Sequence, residues 1–137
     1  MPPRPGMSKA ELEIARIVWK LKDAGVRQIY EALPPGRDID FTTVQTYLRR
    51  LEEKGYLNVR LEGRSRVYSP KVRPQTVIRE TVGEMVDLLF GGDTMPLMKH
   101  LVEDHQFSQH DIKQLRQLLD RLEGKSSHGQ DADGGQP

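Results

Sequence analysis

The stretch FTTVQTYLRRLEEKG, Phe41–Gly55, decides how the rest of the chain is interpreted. Val44, Leu48 and Leu51 recur at the spacing of one face of an amphipathic helix, and a glycine follows where a helix would end. We therefore predict a helix over residues 42–54. Its first half contains three threonines, which are poor helix formers, so the residues on its other face need a separate explanation.

The side of this helix opposite its apolar face is polar and basic. In a helix-turn-helix, the front of the second helix enters the major groove of DNA, where short side chains allow a close approach to the bases. A threonine methyl can contact the thymine methyl, glutamine can bond adenine at two atoms, and arginine can reach phosphates. The alternative is an ordinary solvated face on which the threonines serve as cap residues. The candidate DNA-binding residues are Thr42, Thr43, Gln45, Thr46, Arg49 and Arg50.

Two patterns before this helix predict two more helices. Ser8 and Glu11 form a capping box at the start of a helix that we place at residues 8–22. A second, shorter helix is predicted over residues 26–33, and the sequence PPGRD separates it from the third helix.

After Gly55 the chain changes from helical spacing to strand-like alternation of apolar and polar residues. The sequence LNVRLEGRSRVYSP predicts a two-stranded hairpin with a basic tip. Three helices followed by a hairpin is the element order of a winged helix-turn-helix, so the predicted fold class is mainly α with a small β-hairpin. Arg64 and Arg66 at the tip are candidate DNA contacts; a charged turn that keeps the chain soluble is the alternative.

Residues 74–124 are predicted to form short amphipathic helices. Three such helices in about 50 residues cannot enclose a core alone, so we predict that they form a homodimer interface. Folding back onto the winged helix is the alternative. The predicted organisation is a flexible leader (1–7), a winged helix-turn-helix (8–73), this dimerisation region, and a disordered tail (125–137). The dimerisation residues are Ile78, Val82, Met85, Leu89, Leu97, Leu101, Leu115, Leu118 and Leu122.

The charge is unevenly distributed along the 137 residues. Residues 1–73 carry 15 Lys/Arg against 9 Asp/Glu, and residues 74–137 carry 6 against 11. A basic front half fits a polyanionic partner, although chance clustering on a solvated surface gives the same pattern. The absence of cysteine excludes disulfides and thiolate metal sites, and we expect no cofactor. Without a long apolar run or a secretory signal, we expect a cytoplasmic location and no membrane contact.

Three histidines, His100, His105 and His110, lie close together in the sequence, with Asp104 and Asp111 among them. The spacing of His100 and Asp104 would let both residues bind one metal ion on a helix face. No third ligand is apparent, however, and His105 falls on another face. We therefore interpret the histidines as solvated surface residues and predict no metal site, and a sensing role for them is left open.

Five motifs occur here in order: SKAELEIARIVWK, VRQIYEALP, TTVQTYLRRLEEKGYL, EGRSRVYSP and LLFGGD. Together they resemble the penicillinase and methicillin-resistance repressor family and its copper-responsive relatives, over about residues 8–123. The resemblance implies an N-terminal winged helix, a C-terminal dimerisation region, and repression by a homodimer on an inverted-repeat operator. It assigns recognition to the threonines, glutamine and arginines of the third helix, and the wing to Arg64 and Arg66.

The resemblance also implies a way to end repression, and here the sequence departs from the family. Cleaved members carry an Asn-Phe bond soon after the Gly-Gly-Asp turn, and a membrane sensor triggers its proteolysis. Asn58 is the only asparagine in the chain, and His100-Leu101 lies about where that bond would fall. The cysteine pairs of the copper-responsive relatives are absent too. Release by a signalling protease therefore remains open.

Two other functional classes compete with a repressor. No Gly-rich phosphate loop, nucleophile elbow or zinc-protease motif occurs, so we do not expect an enzyme. A protein-interaction adaptor could keep the winged-helix shape without binding DNA, but it would favour apolar anchors where this chain has Thr, Gln and Arg. We therefore favour a dimeric DNA-binding transcriptional repressor.

Overall fold

The computed structural model describes residues 4–132, and it describes only the backbone of residues 126–132. The chain divides into two compact units between Glu84 and Met85, inside α4. The predicted fold class, mainly α with a winged helix-turn-helix, is confirmed. The elements are α1 (Lys9–Leu21), β1 (Ala24–Gly25), α2 (Val26–Glu31), α3 (Phe41–Glu53), β2 (Leu57–Glu62), β3 (Ser65–Pro70), α4 (Pro74–Phe90), α5 (Thr94–Asp104) and α6 (Gln109–Ala132).

The capping box predicted at the start of α1 is present. The Glu11 amide donates to Ser8 Oγ at 3.1 Å, and the Ser8 amide donates to Glu11 Oε1 at 2.7 Å, so two of the free amides of the helix end are satisfied. The helix ends at Leu21 because Lys22 takes a φ of 72°, which directs the chain out of the helix.

The C-terminal end of α3 is closed by Gly55, as the sequence predicts. This glycine has a φ of +91°, its amide bonds the Glu52 carbonyl at 3.1 Å, and the Tyr56 amide bonds the Leu51 carbonyl at 2.9 Å. This is the Schellman arrangement, which satisfies two carbonyls of the last turn. The chain leaves α3 in the direction of β2.

The sheet has one strand more than predicted. β2 and β3 form the predicted antiparallel hairpin, from Leu57 opposite Pro70 to Glu62 opposite Ser65. β1 adds to the other side of β3, giving the order β1-β3-β2, with Ala24 opposite Tyr68. β1 is not predicted from the sequence, because a strand of two residues shows no alternation of apolar and polar residues.

The core lies between the first three helices and the sheet. The apolar face of α3 contacts α1 and α2, which confirms the packing expected for that face. Its fully buried side chains include Ile14, Val18, Ile29, Val44, Leu48 and Leu51.

The leader predicted over residues 1–7 contacts the winged helix at Pro5 and Gly6. The Tyr56 hydroxyl donates to the Pro5 carbonyl at 2.7 Å, and Lys54 Nζ donates to the Gly6 carbonyl at 2.9 Å. Proline-rich composition alone does not reveal such contacts, because they come from side chains about 50 residues away in sequence. Residues 1–3 lie outside the described residues.

α6 continues beyond its predicted end. The helix passes through Gly124 to Ala132, so the predicted stop at Gly124 is wrong, and the tail predicted from residue 125 begins within this helix. A glycine inside an exposed helix costs only about 1 kcal/mol relative to alanine, which does not suffice to end a helix. Residues 133–137 lie outside the described residues. Within the described part of the chain, the helices are too short or too polar to cross a membrane.

Candidate nucleic-acid interface

The outer face of α3 presents the six residues that the sequence predicts as DNA contacts. The apolar residues Val44, Leu48 and Leu51 are fully buried on the opposite side, so the polar face is directed away from the core. Thr42, Arg49 and Arg50 are exposed, and Thr43, Gln45 and Thr46 are partly exposed.

Two threonine hydroxyls on this face already donate hydrogen bonds within α3. Asp40 is the N-cap residue, and its Oδ1 accepts from the Thr43 amide at 3.0 Å and from Thr43 Oγ1 at 2.6 Å. The hydrogen bond from the Thr43 side chain, followed by that from its amide, lowers the pKa of Asp40. Thr46 Oγ1 donates to the Thr42 carbonyl at 3.1 Å. The two hydroxyls can therefore still accept a bond from a partner, and the two methyl groups remain for apolar contact.

Arg49 and Arg50 are exposed on the polar face of α3. In the part of the chain that the structure describes, neither guanidinium forms an ion pair with a carboxylate. The Arg50 guanidinium lies 5.9 Å from the centroid of the Tyr47 ring, and this contact restricts its position. An unpaired guanidinium with all its N–H groups available suits a phosphate oxygen.

The wing carries three arginines, but they are not equivalent. Arg64 and Arg66 at the tip are exposed, as predicted. Arg60 instead bonds Asp23 in a bidentate pair at 2.6 and 2.8 Å, and these bonds raise the pKa of Arg60. Since the Asp23 pair occupies its guanidinium, Arg60 joins β2 to the end of α1 and is not a DNA-contact candidate.

A cavity of about 420 Å³ connects the predicted reading helix with the wing. It lies between the first residues of α2, the first turn of α3 and the β2–β3 turn. Of its described lining residues, none is acidic. Its lining includes Arg27, Gln28, Phe41, Gln45, Arg64 and Arg66.

The cavity brings together Gln45 and the two wing arginines, which the sequence places in separate elements. It also adds Arg27, Gln28 and Phe41, which the sequence analysis did not single out. The only sequence signal for Arg27 and Gln28 is their place at the start of the first helix of a helix-turn-helix, and that helix crosses the DNA backbone in such motifs.

The histidine cluster is only partly assembled. His100 Nδ1 lies 2.9 Å from Asp104 Oδ2, and the rings of His100 and His105 are 6.5 Å apart between centroids. His110 lies in the first turn of α6. Across the described side chains, no three His, Cys, Asp or Glu residues are close enough together to hold a metal ion.

The residues predicted to form a dimer interface differ in exposure. Leu97 is buried and Leu101 is partly buried. Leu88, Leu119 and Met95 are exposed apolar residues that the sequence analysis did not assign. The other predicted interface residues are exposed: Ile78, Val82, Met85, Leu89, Leu115, Leu118 and Leu122.

Comparison with known proteins places this winged helix in a family. The family model for the penicillinase repressor matches residues 7–121. The penicillinase repressor of Bacillus licheniformis is 29% identical over 116 residues, which cover 85% of this chain and 91% of that protein. The transcriptional regulator BlaI of Mycobacterium tuberculosis (strain CDC 1551 / Oshkosh) is 33% identical over 108 residues, which cover 76% and 73%.

A solved structure is also similar. The solution structure of monomeric Bacillus licheniformis BlaI in complex with the blaP half-operator is 35% identical, with a TM-score of 0.46. The match covers 55% of this chain and 92% of that one. Because the family model spans most of the sequence, the chain belongs to the penicillinase repressor family and is a DNA-binding transcriptional repressor, not an enzyme.

Proposed function

We propose that this repressor acts in the cytoplasm as a homodimer that binds an inverted-repeat operator, with α3 of each copy in the major groove. The observation that carries the proposal is the division of α3 into two faces. Val44, Leu48 and Leu51 anchor one face in the core, and the other face presents polar and basic side chains to a partner. A rigid helix with this surface suits groove reading, because its own packing fixes the side chains before DNA arrives.

Along the helix, the residues of this face have two proposed roles, contact with bases and contact with phosphates. Gln45 can bond adenine at two atoms, and the neighbouring threonines can contact thymine methyls or accept bonds from amino groups. Arg49 and Arg50, further along, bind phosphates and set the register of the helix on the duplex. Base contacts of this kind discriminate by about 1–3 kcal/mol per pair, and the phosphate contacts supply sequence-independent affinity.

The dimer follows from the exposed apolar residues of the C-terminal helices. Exposed apolar residues recur along these helices, with Leu89 at 65% and Leu122 at 63% exposure, and such a concentration favours a surface that a partner covers. A second copy of the chain is the simplest such surface, and a two-fold dimer reads two half-sites of opposite orientation.

Gel shifts with the duplex upstream of the gene for this protein test the DNA-binding part. We expect binding that a scrambled duplex does not compete away, and that weakens steeply between about 50 and 200 mM salt. Thr46→Ala is expected to relax specificity, while Arg50→Ala is expected to weaken binding to all sequences alike. Equal binding to both duplexes would contradict the proposal and favour an adaptor without specific DNA binding. Wild-type binding by both variants would mean that α3 is not the helix that reads the DNA.

Light scattering tests the dimer separately. The wild-type chain is expected at twice its mass of 15.7 kDa. A Leu118→Glu/Leu122→Glu variant is expected at the mass of one chain, because two charges would have to be buried in the interface. Leu61→Glu is the control, since Leu61 is 69% exposed, more than Leu118 at 52% or Leu122 at 63%, but lies in the wing. A wild-type monomer at micromolar concentration would overturn the dimer.

Release from the operator is proposed to occur by proteolysis within residues 74–124, which would separate the dimer interface from the winged helix. The His100-Leu101 bond is a candidate position, and His100 is exposed while Leu101 is partly exposed. A gene for a membrane-bound metalloprotease sensor next to this one would support this route. Recovery of only intact repressor from induced cells would exclude it.

A further inference from the structure

Beyond the residues already assigned, we propose that the cavity between α2, α3 and the wing holds one backbone phosphate of the duplex, bound from α2 by Arg27 and from the wing by Arg64 and Arg66. This inference rests on the proposed function, because it adds a third group of DNA contacts to α3 and the wing. It makes Arg27, which is in neither of those elements, a determinant of the register of α3 on DNA.

The first support is the way in which Arg27 is held. Its guanidinium lies 5.1 Å from the centroid of the Phe41 ring, and the Phe41 ring packs edge-on against Tyr30 with 5.6 Å between centroids. Tyr30 in turn packs against the buried core. Stacking on a ring face restricts a guanidinium but leaves the N–H groups at its edge available. Arg27 is therefore oriented before any ligand binds.

The second support is the chemistry of the lining. Three arginines line the cavity, and no acidic residue is among its described lining residues. Gln28 Oε1 accepts a hydrogen bond from the Gly25 amide at 2.8 Å. The NH₂ group of Gln28 is therefore the part that can donate to a ligand in the cavity. Like charges in one cavity repel each other unless an anion lies between them. A phosphate, with oxygens that accept several N–H bonds at once, fits this set of donors.

The third support is the location of the cavity. Gln45 belongs both to its lining and to the reading face of α3, and Arg64 and Arg66 belong both to its lining and to the wing. A phosphate bound there would be next to the base pair that Gln45 reaches. Phosphate contacts of this kind fix the orientation of a reading helix without carrying sequence information themselves. The source of the phosphate that best fits this location is duplex DNA.

The test measures how the affinity for a random-sequence duplex depends on salt. Arg27→Gln is expected to reduce the slope of log affinity against log salt by about 1, since one phosphate contact is lost. Arg16→Gln is the matched control, because Arg16 is an exposed arginine on α1 and its loss changes the net charge equally. Equal slopes for Arg27→Gln and Arg16→Gln would overturn the proposal.

A second variant separates a phosphate site from a structural role for Arg27. Phe41→Leu keeps the apolar contact but removes the ring, so it is expected to lower the affinity for the duplex. When Phe41→Leu is added to Arg27→Gln, it is expected to lower that affinity no further. Independent, additive effects would count against the stacked arrangement. The melting temperatures of both variants show whether the domain remains folded.

Two further outcomes keep this inference distinct from the proposed function. If the wild-type chain shows no preference for its upstream duplex, the proposal of sequence-specific repression fails. The salt slope of the affinity for random duplex still tests the phosphate site. If millimolar inorganic phosphate raises the melting temperature of the wild type but not of Arg27→Gln, and the duplex slopes are equal, the cavity binds a free anion and the DNA assignment is wrong.

Discussion

The two units of the chain have similar helical sequence patterns but very different burial. The unit before Met85 encloses side chains such as Ile14, Leu48 and Leu51 with no accessible surface. Within the described residues of the second unit, the buried hydrophobic residues are Val86 and Leu97, both at 8% exposure, and Leu88 is 85% exposed. Periodicity therefore predicts a helix in both units, but whether its apolar face is covered depends on the surfaces available to it.

The largest expected effect comes from truncating the core of the first unit. Leu48→Ala is expected to lower the free energy of unfolding by about 2–5 kcal/mol, since the side chain is fully buried and leaves a cavity. Urea unfolding followed by fluorescence of Trp19, the only tryptophan, measures it. Leu88→Ala is the control and is expected within about 0.5 kcal/mol at concentrations where the chain is monomeric. Equal losses would contradict the difference in burial between the units.

A smaller effect distinguishes the two capping boxes. Ser8 and Glu11 in the first unit, and Ser108 and Asp111 in the second, exchange the same pair of bonds. Glu11 is only 2% exposed and also pairs with Lys54 at 2.6 Å. Glu11→Gln is therefore expected to cost about 1–3 kcal/mol of unfolding free energy, and Asp111→Asn clearly less. If both substitutions lowered the free energy of unfolding equally, burial of Glu11 and its ion pair with Lys54 would contribute nothing to stability.

The same carboxylate predicts an acid dependence. Burial alone would raise the pKa of Glu11, but the hydrogen bonds from Lys54 and Ser8 outweigh it, and the pKa lies below its ordinary value of 4.5. The charged form is thus favoured by folding, and its contribution is complete above that value and declines as the pH falls toward the folded-state pKa. The stability difference between wild type and Glu11→Gln should narrow below about pH 4.5 in urea titrations. A constant difference down to pH 3 would contradict this assignment.

The smallest effects are expected at two glycines with opposite requirements. Gly55 closes α3 with a φ of +91°, where alanine is strained, so Gly55→Ala should destabilise the first unit by about 1–2 kcal/mol. Gly124 lies inside α6, and nothing within 4 Å would meet an added Cβ. Gly124→Ala should stabilise α6 by about 1 kcal/mol or less. Circular dichroism on heating measures both changes, and destabilisation by Gly124→Ala would argue against a helix through this position.

Local patterns predicted the helices of the winged domain, the capping box at Ser8 and the two faces of α3. These features depend on residues within one or two turns of each other, so the sequence shows them directly. The sequence does not distinguish Arg60 from Arg64 and Arg66, because Asp23, the partner that Arg60 holds in a bidentate pair, lies 37 residues away. For the same reason the sequence does not show that Arg27 lines a cavity, because that cavity forms only where α2, α3 and the wing meet.

The internal hydrogen bonds of Thr43 and Thr46 have a consequence for modified DNA. Each hydroxyl has one proton. Thr43 donates its proton to Asp40, the N-cap of α3, and Thr46 donates its proton to the Thr42 carbonyl. The remaining features of these side chains are a methyl group and acceptor lone pairs, so in the proposed binding mode their methyl groups would contact the C5 position of pyrimidines. Replacing thymine with uracil at contacted positions should therefore weaken binding, and 5-methylcytosine should imitate thymine there. Such a repressor would be sensitive to cytosine methylation of its operator.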